Sequence, residues 1–294
     1  MELNGICVIT LTPFNDKGNI DEGSLRRLTN FYIDSGVHGM VILGIMGESH
    51  KMTDSERSKV LEVTLEETKG RVPVVVGCTA QGTEVAKELS IQAEKSGAHS
   101  VMIAAPRNLN NEEMLFKHYA EIAEAISIPI VVQDEPVTTG VKMSPKFLAT
   151  LADEIENVQY VKLEEAPTTV KTTKILEETS NLQIFGGLGG MYFYEELVRG
   201  AKGIMTGFAY PEVLVKTFEL YTSGNKNEAR KYFYEKLPLI RFEAQLGIGG
   251  VTIRKETFKL RNVIDSSHVR HPGAAVDSQT MDELQEIIEF VGLK

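Results

Sequence analysis

Lys162 closes the apolar run Asn157-Val158-Gln159-Tyr160-Val161-Lys162, and the acidic pair Glu164-Glu165 follows one residue later. A lysine ordinarily keeps its ammonium in water, because an unpaired buried charge is expensive. Where a central strand opens into a pocket, a desolvated amine can instead lose its proton and attack a carbonyl carbon. A salt-bridged or solvated lysine at a strand end is the plain alternative, and this run by itself does not separate the two.

Other run ends supply the remainder of a small-molecule mouth. Gly44-Ile45-Met46-Gly47-Glu48-Ser49 would turn the chain sharply and expose backbone N–H groups suited to a carboxylate. A tight turn without a ligand fits the same residues. Thr10, Thr12, Cys78-Thr79, Arg107-Asn108, Gln133-Asp134-Glu135-Pro136 and Thr206 offer amides, hydroxyls and charged groups at further ends. Gly186-Gly187-Leu188-Gly189-Gly190 could cradle a phosphate, or could simply let backbone approach backbone. The six histidines, at 38, 50, 99, 118, 268 and 271, include no HxH pair, so the ligand set of a catalytic zinc is missing and no metal is expected. No GxSxG elbow is present for Ser-His-Asp chemistry, and Cys78 reads as a small core or rim residue.

Such residues must be positioned by a repeating scaffold, and short β-branched runs do alternate with longer amphipathic ones. Strands are predicted over 6–11, 40–43, 73–77, 100–104, 129–133, 158–162, 183–185 and 203–206. Helices are predicted over 21–35, 53–68, 83–96, 112–125, 144–153, 168–179 and 190–199. Eight near-continuous apolar strands with helical crossovers describe a parallel sheet covered on its outer face, and the count predicts a closed (β/α)₈ TIM barrel. The working face of that architecture is the carboxyl end of the strands, where Lys162 and the other run ends fall. Gly36, Gly97 and Gly200 are placed to end helices in left-handed turns. Beyond about residue 210 the strand signal stops, and helices are predicted over 212–222, 226–246, 251–263 and 278–291. The expected organisation is a 1–210 barrel with a 211–294 helical extension packed on it, as one structural domain.

Composition limits the possible partners. With 42% hydrophobic and 24% charged residues, the 294-residue chain suits a globular protein. Its 41 acidic against 31 basic residues give a net charge of −10, which repels phosphate backbones and argues against nucleic acid and anionic membranes. No apolar run approaches the roughly 20 residues of a membrane span. The amino terminus lacks the basic start and apolar block of a secretory signal. The two cysteines, Cys7 and Cys78, make neither a disulfide framework nor a CxxC pair. A cytoplasmic location is expected.

Taken together, these residues resemble the dihydrodipicolinate synthase and N-acetylneuraminate lyase family of class I, Schiff-base aldolases. The resemblance runs from Ile9-Thr10-Leu11-Thr12-Pro13-Phe14 to the terminal helices. Gly44-Ile45-Met46-Gly47-Glu48-Ser49 matches the family's GxxGE(S) loop, and Tyr160-Val161-Lys162 matches the strand that carries its Schiff-base lysine. The resemblance implies a (β/α)₈ barrel, a pyruvate-type 2-oxo acid substrate, no organic or metal cofactor, and a homotetramer. It implies an imine on Lys162, a carboxylate held by the backbone at Ile45, Met46 and Gly47, and a pocket lined also by Gly187 and Met205.

The departures from the family pattern shape the expected activity. Its loop commonly carries two serine or threonine hydroxyls where this chain has Ile45 and Met46. Its strand-five relay tyrosine falls at Gln133, and an amide cannot serve as a general acid near neutral pH. The second relay tyrosine is missing from Pro106-Arg107-Asn108, and the arginine that dihydrodipicolinate synthases use for the aldehyde partner's carboxylate falls at Thr138. Thr139-Gly140-Val141-Lys142 resembles the sugar-acid lyase branch. Asp134 and Glu164 are the nearest titratable groups to replace the phenol. The expected function is an aldolase or dehydratase acting on a 2-oxo-3-deoxy sugar acid. The alternative within the family is 4-hydroxy-tetrahydrodipicolinate (dihydrodipicolinate) synthase. From other classes, the alternatives are a non-catalytic barrel that binds a small acid and a phosphosugar enzyme using the 186–190 loop.

Overall fold

The computed structural model describes residues 2–245 and 248–294. Eight parallel strands close into a barrel in chain order: β1 (Gly5–Ile9), β2 (Gly39–Ile42), β3 (Val74–Gly77), β4 (Ser100–Ala104), β5 (Ile130–Asp134), β6 (Val158–Leu163), β7 (Gln183–Gly186) and β8 (Gly203–Thr206). The seam is formed by β8 pairing with β1. Helices α1 (Glu22–Asp34), α2 (Asp54–Thr68), α3 (Thr83–Lys95), α4 (Glu112–Ala123), α5 (Pro136–Thr139), α6 (Pro145–Glu154), α7 (Thr168–Glu178) and α8 (Phe193–Val198) connect the strands. The (β/α)₈ expectation holds, and every expected strand is present with ends displaced by no more than two residues.

Local chemistry explains the helix boundaries. Asp21, Thr53, Asn111 and Ser144 each cap a helix by accepting a backbone N–H, and Thr53 with Glu56 forms a reciprocal capping box. Gly36, Gly97 and Gly200 take left-handed backbone where helices end (φ 81°, 96° and 100°), as expected for such stops. The short α5 was not expected, because four residues carry no helical period. Pro136 starts it, and the Glu135 side chain accepts the Thr138 N–H.

Strand alternation sorts the core into two regions. Cys7, Ile9, Val41, Val75, Met102, Val131, Tyr160, Phe185 and Met205 fill the barrel interior. Their neighbours, such as Ile6, Met40, Val74, Val101 and Val161, face the helices. Full burial of each such side chain contributes roughly 1.5–3 kcal/mol.

Beyond β8 come α9 (Pro211–Thr222), α10 (Lys226–Glu243), α11 (Ile248–Leu260) and α12 (Ser278–Phe290). The expected 246 end of the second of these helices lies outside the described residues. α11 starts at Ile248 and stops at Leu260, ahead of the 251–263 expectation. The glycines at 249 and 250 weaken its pattern in the sequence, and Asn262 terminates it in left-handed backbone (φ 58°). Among the described residues, no helix is long and apolar enough to cross a membrane.

Candidate active site at the barrel mouth

Register brings three strand-end side chains together. Gln133 of β5 and Lys162 of β6 are direct partners across adjacent strands. The Glu164 N–H donates to the Asp134 carbonyl at 3.0 Å, which continues the ladder one residue past β6 and keeps Glu164 on the inward side with Lys162. Lys162 Nζ lies 2.8 Å from Glu164 Oε2, and the Gln133 amide donates to the same oxygen at 2.9 Å. Lys162 is 6% exposed, so the pair interacts in a largely dehydrated setting where Coulomb attraction far exceeds its value in water. At this separation a proton can pass directly between amine and carboxylate.

The 186–190 segment makes room for that arrangement. A Cβ added to Gly187 would lie 2.3 Å from Glu164 Cγ, and one on Gly186 would lie 1.7 Å from Glu196 Oε2. Close approach of carboxylate side chains therefore explains these two glycines without a phosphate. It also corrects the expectation for Gly187, which stands behind Glu164 rather than on the cavity wall. Gly187→Ala is expected to displace Glu164 and lower turnover roughly 10- to 100-fold, the scale of a catalytic group moved by about an ångström. The clashing atoms belong to a side chain that can swing aside, so the far-UV circular dichroism should be unchanged. Turnover equal to the parent's would show that Glu164 does not need this position.

Asp134 is corrected as well. It lies on the outer face of β5, fully buried, with Oδ2 2.5 Å from Lys171 Nζ of α7, and Lys171 reaches Glu165 Oε2 at 2.5 Å. Burial pushes the Asp134 carboxyl up to about 6. This ionic cluster braces the barrel wall against α7 and does not face the mouth. Tyr160, two residues before Lys162, occupies the barrel interior, where its hydroxyl accepts the Leu3 N–H at 3.3 Å.

The loop after β2 is held by the helical extension. Leu43 and Glu48 adopt left-handed backbone (φ 57° and 55°), which costs about 1–2 kcal/mol at each non-glycine residue. Glu48, 1% exposed, accepts from Lys255 Nζ (2.6 Å), Lys51 Nζ (2.9 Å) and the Arg270 N–H (3.0 Å). Lys255 comes from α11 and Arg270 from the segment after it, so the extension clamps the loop onto the mouth. Gly47 donates its N–H to the Gly44 carbonyl at 3.1 Å, which removes it from the expected carboxylate cradle. The N–H groups of Ile45 and Met46 have no partner among the described residues, and both residues line the cavity.

That cavity, of about 340 Å³, is walled by Ile45, Met46, Gln133, Lys162, Glu164 and Met205. From the extension come Ala244, Gln245, Val251 and Arg254. An adjoining cavity of about 450 Å³ shares Gly44, Ile45, Gln133, Glu135 and Thr138, and adds Thr79, Gln81 and Arg107. The two lobes make a cleft longer than a three-carbon acid requires. Among the described residues, no tyrosine lines either lobe. Thr138 stands at their boundary with its N–H on Glu135 Oε2 (2.8 Å), and burial raises the Glu135 carboxyl. Cys78 is buried and its thiol is pushed up to about 12 by desolvation, which disfavours a nucleophilic thiolate. Among the described residues, no three His, Cys, Asp or Glu side chains converge as metal ligands.

Glu135 was placed at the rim with the Gln133–Pro136 run, but sequence reasoning did not single out Arg254 for the cavity wall. No signal marked Arg254: it stands in the charge-rich stretch Arg254-Lys255-Glu256-Thr257-Phe258-Lys259-Leu260-Arg261, where an ordinary solvated arginine reads the same.

A model of the dihydrodipicolinate synthetase family matches residues 2–291. The chain is 33% identical over 290 residues to an L-2-keto-3-deoxyarabonate dehydratase of Azospirillum brasilense, covering 96% of this chain and 93% of that one. It is 34% identical over 245 residues to a 4-hydroxy-tetrahydrodipicolinate synthase of Methanopyrus kandleri, covering 82% and 81%. The crystal structure of a dihydrodipicolinate synthase from Rhodopseudomonas palustris superposes with a TM-score of 0.93 at 33% identity, covering 98% and 97% of the two chains.

Proposed function

The chain belongs to the dihydrodipicolinate synthetase family of class I aldolase-type lyases, and on that premise we propose that it is a Schiff-base lyase for a 2-oxo-3-deoxy sugar acid, an aldolase or a dehydratase. The observation that carries this reading is the Lys162–Glu164–Gln133 contact in a mouth without a tyrosine among its described walls. A carboxylate beside the amine is an alternative proton carrier to a phenol. The similarity to an L-2-keto-3-deoxyarabonate dehydratase supports the substrate class.

In this reading Lys162 passes its proton to Glu164 and attacks C2 of the oxo acid. That proton leaves with the carbinolamine oxygen as water, and a protonated imine remains. The imine nitrogen draws electrons from C3. If Glu164 removes the C3 proton, the resulting enamine can expel a protonated C4 hydroxyl as water. If the C4 hydroxyl is deprotonated instead, the C3–C4 bond breaks. Gln133 holds Glu164 by donation and carries no titratable proton. The 4-hydroxy-tetrahydrodipicolinate synthase reading stands second, supported by the synthase relatives and opposed by Thr138, which offers no cation. We further treat the 1–210 barrel and the 211–294 extension as one functional unit, and the enzyme as a cytoplasmic homo-oligomer on the pattern of its family.

The test is turnover of 2-oxo-3-deoxy pentonates and hexonates, with water loss and pyruvate release followed separately and chelator present throughout. At least one acid should be consumed. Glu164→Gln should lower kcat by about 10²–10⁴, the value of a positioned acid or base, while pyruvate and borohydride still label Lys162. Full activity of Glu164→Gln would remove Glu164 from the mechanism, and failure with every acid would remove the substrate class.

A further inference from the structure

Among the described residues, one buried cation in the mouth has no carboxylate within hydrogen-bonding distance. Arg254 of α11 is 4% exposed and lines the same cavity as Lys162. Its Nη1 points at the Met46 sulfur at 3.2 Å, and a thioether is a weak acceptor. The Glu243 carboxylate at the end of α10 comes no closer than 3.7 Å to Nε, which has no hydrogen-bond partner among the described residues. Glu243 Oε2 instead accepts the Ala209 N–H at 3.0 Å. Burial also pushes Glu243 up to about 7, which weakens it as a counter-ion near neutral pH. The lysines of the cavity wall differ, since Lys162 and Lys51 have carboxylates at 2.8 and 2.9 Å.

The surroundings of Arg254 show where its charge is directed. A Cβ added to Gly189 would lie 3.6 Å from Arg254 Nη2, and one on Gly207 would lie 3.6 Å from both Arg254 Cδ and Met46 Cε. The side chain is thus wedged between the loops after β7 and β8 and the loop after β2. The last of these presents the N–H groups of Ile45 and Met46, which have no partner among the described residues. Two N–H donors alone leave much of a carboxylate's acceptor capacity unmet, and the Ile45 and Met46 side chains carry no hydroxyl. A guanidinium is suited to complete such a site, because its planar fork matches a carboxylate and gives charge-assisted bonds.

We propose that Arg254 is the substrate-carboxylate anchor of this enzyme: its guanidinium and the Ile45 and Met46 N–H groups together hold the C1 carboxylate, so that C2 faces Lys162. The assignment rests on the 2-oxo acid reading of the same cavity. It makes the helical extension part of the binding site, and it makes Arg254 a binding and positioning residue with no role in proton transfer.

The test separates anchoring from imine chemistry by using the Lys162→Ala protein, in which no imine can form. Binding of pyruvate and of its neutral methyl ester is measured by ligand-observed NMR, with and without Arg254→Met or Arg254→Lys. Arg254→Met should weaken pyruvate roughly 10- to 100-fold, as for loss of a charged hydrogen bond, and the ester by less than about threefold. Arg254→Lys should recover part of the loss. In the protein with Lys162 intact, Arg254→Met should raise KM far more than it lowers kcat. Equal weakening of acid and ester would mean a structural role, and no weakening of either would mean no contact; both overturn the proposal. Unaltered melting of Arg254→Lys guards against misfolding of the methionine variant. If pyruvate shows this discrimination but borohydride traps no adduct on Lys162, the Schiff-base reading falls and the anchor stands.

Discussion

Lys162→Ala should abolish turnover and the borohydride-trapped pyruvate adduct together. The expected loss in kcat is about 10⁴-fold or more, the scale on which removal of a covalent nucleophile acts. Lys162→Arg should be as inactive, because a guanidinium stays protonated and cannot add to a carbonyl. The fold should survive both changes. Glu164 loses its ion-pair partner in Lys162→Ala, but its side chain is 14% exposed and keeps the Gln133 amide at 2.9 Å, so water can compensate part of the lost charge. Peptide mapping gives the sharper result. Lys51, Lys171 and Lys255 are also buried at the side chain and, like Lys162, paired with carboxylates, here from Glu48, Asp134 or Glu165. Lys255 is the demanding control, since burial lowers its amine to about 8 while Glu48 and the His268 carbonyl hold it. An adduct on any of these, or none on Lys162, would remove the central mechanism.

Condensation of pyruvate with aspartate semialdehyde should be very slow. A synthase must hold the carboxylate of the aldehyde partner, and the position where the family resemblance places that arginine is Thr138, whose N–H is donated to the capping Glu135 side chain. Losing a charged bidentate contact costs roughly 2–5 kcal/mol, a factor of tens to thousands. Losing a positioned phenol at Gln133 removes a further factor of about 10²–10⁴ unless Glu164 replaces it fully. The two losses act on one transition state and need not add, but either suffices. The measurement is kcat/KM for the semialdehyde beside kcat/KM for the sugar acids. A value for the semialdehyde of about 10⁴ M⁻¹s⁻¹ or more would show that Thr138 and Gln133 have been given too much weight.

The barrel was legible in the sequence because its signals are local. Short apolar runs, helical periods and stop glycines such as Gly36, Gly97 and Gly200 each depend on a few neighbouring residues. A parallel barrel also has one face at the carboxyl strand ends, so Lys162, Gln133 and Glu164 could be placed near one another before any contact was known.

Which side chains enter that mouth depended on features no local pattern contains. Successive residues of a strand face opposite ways, but the pairing of β5 with β6 slips between Ile130 and Val131. Counting from the sequence therefore could not tell that Gln133 faces Lys162 while Asp134 faces α7. Gly47 and Gly187 were read as ligand-facing because of their place in a motif. One closes a turn on Gly44 and the other yields space to Glu164, and both facts concern neighbours fixed only on folding. Arg254 and Lys255 lie more than 200 residues from Met46 and Glu48. Only packing of α11 against the loop after β2 brings those charges to the site, because hydrogen bonds and ion pairs act over a few ångströms of space and carry no mark in the chain that separates their partners.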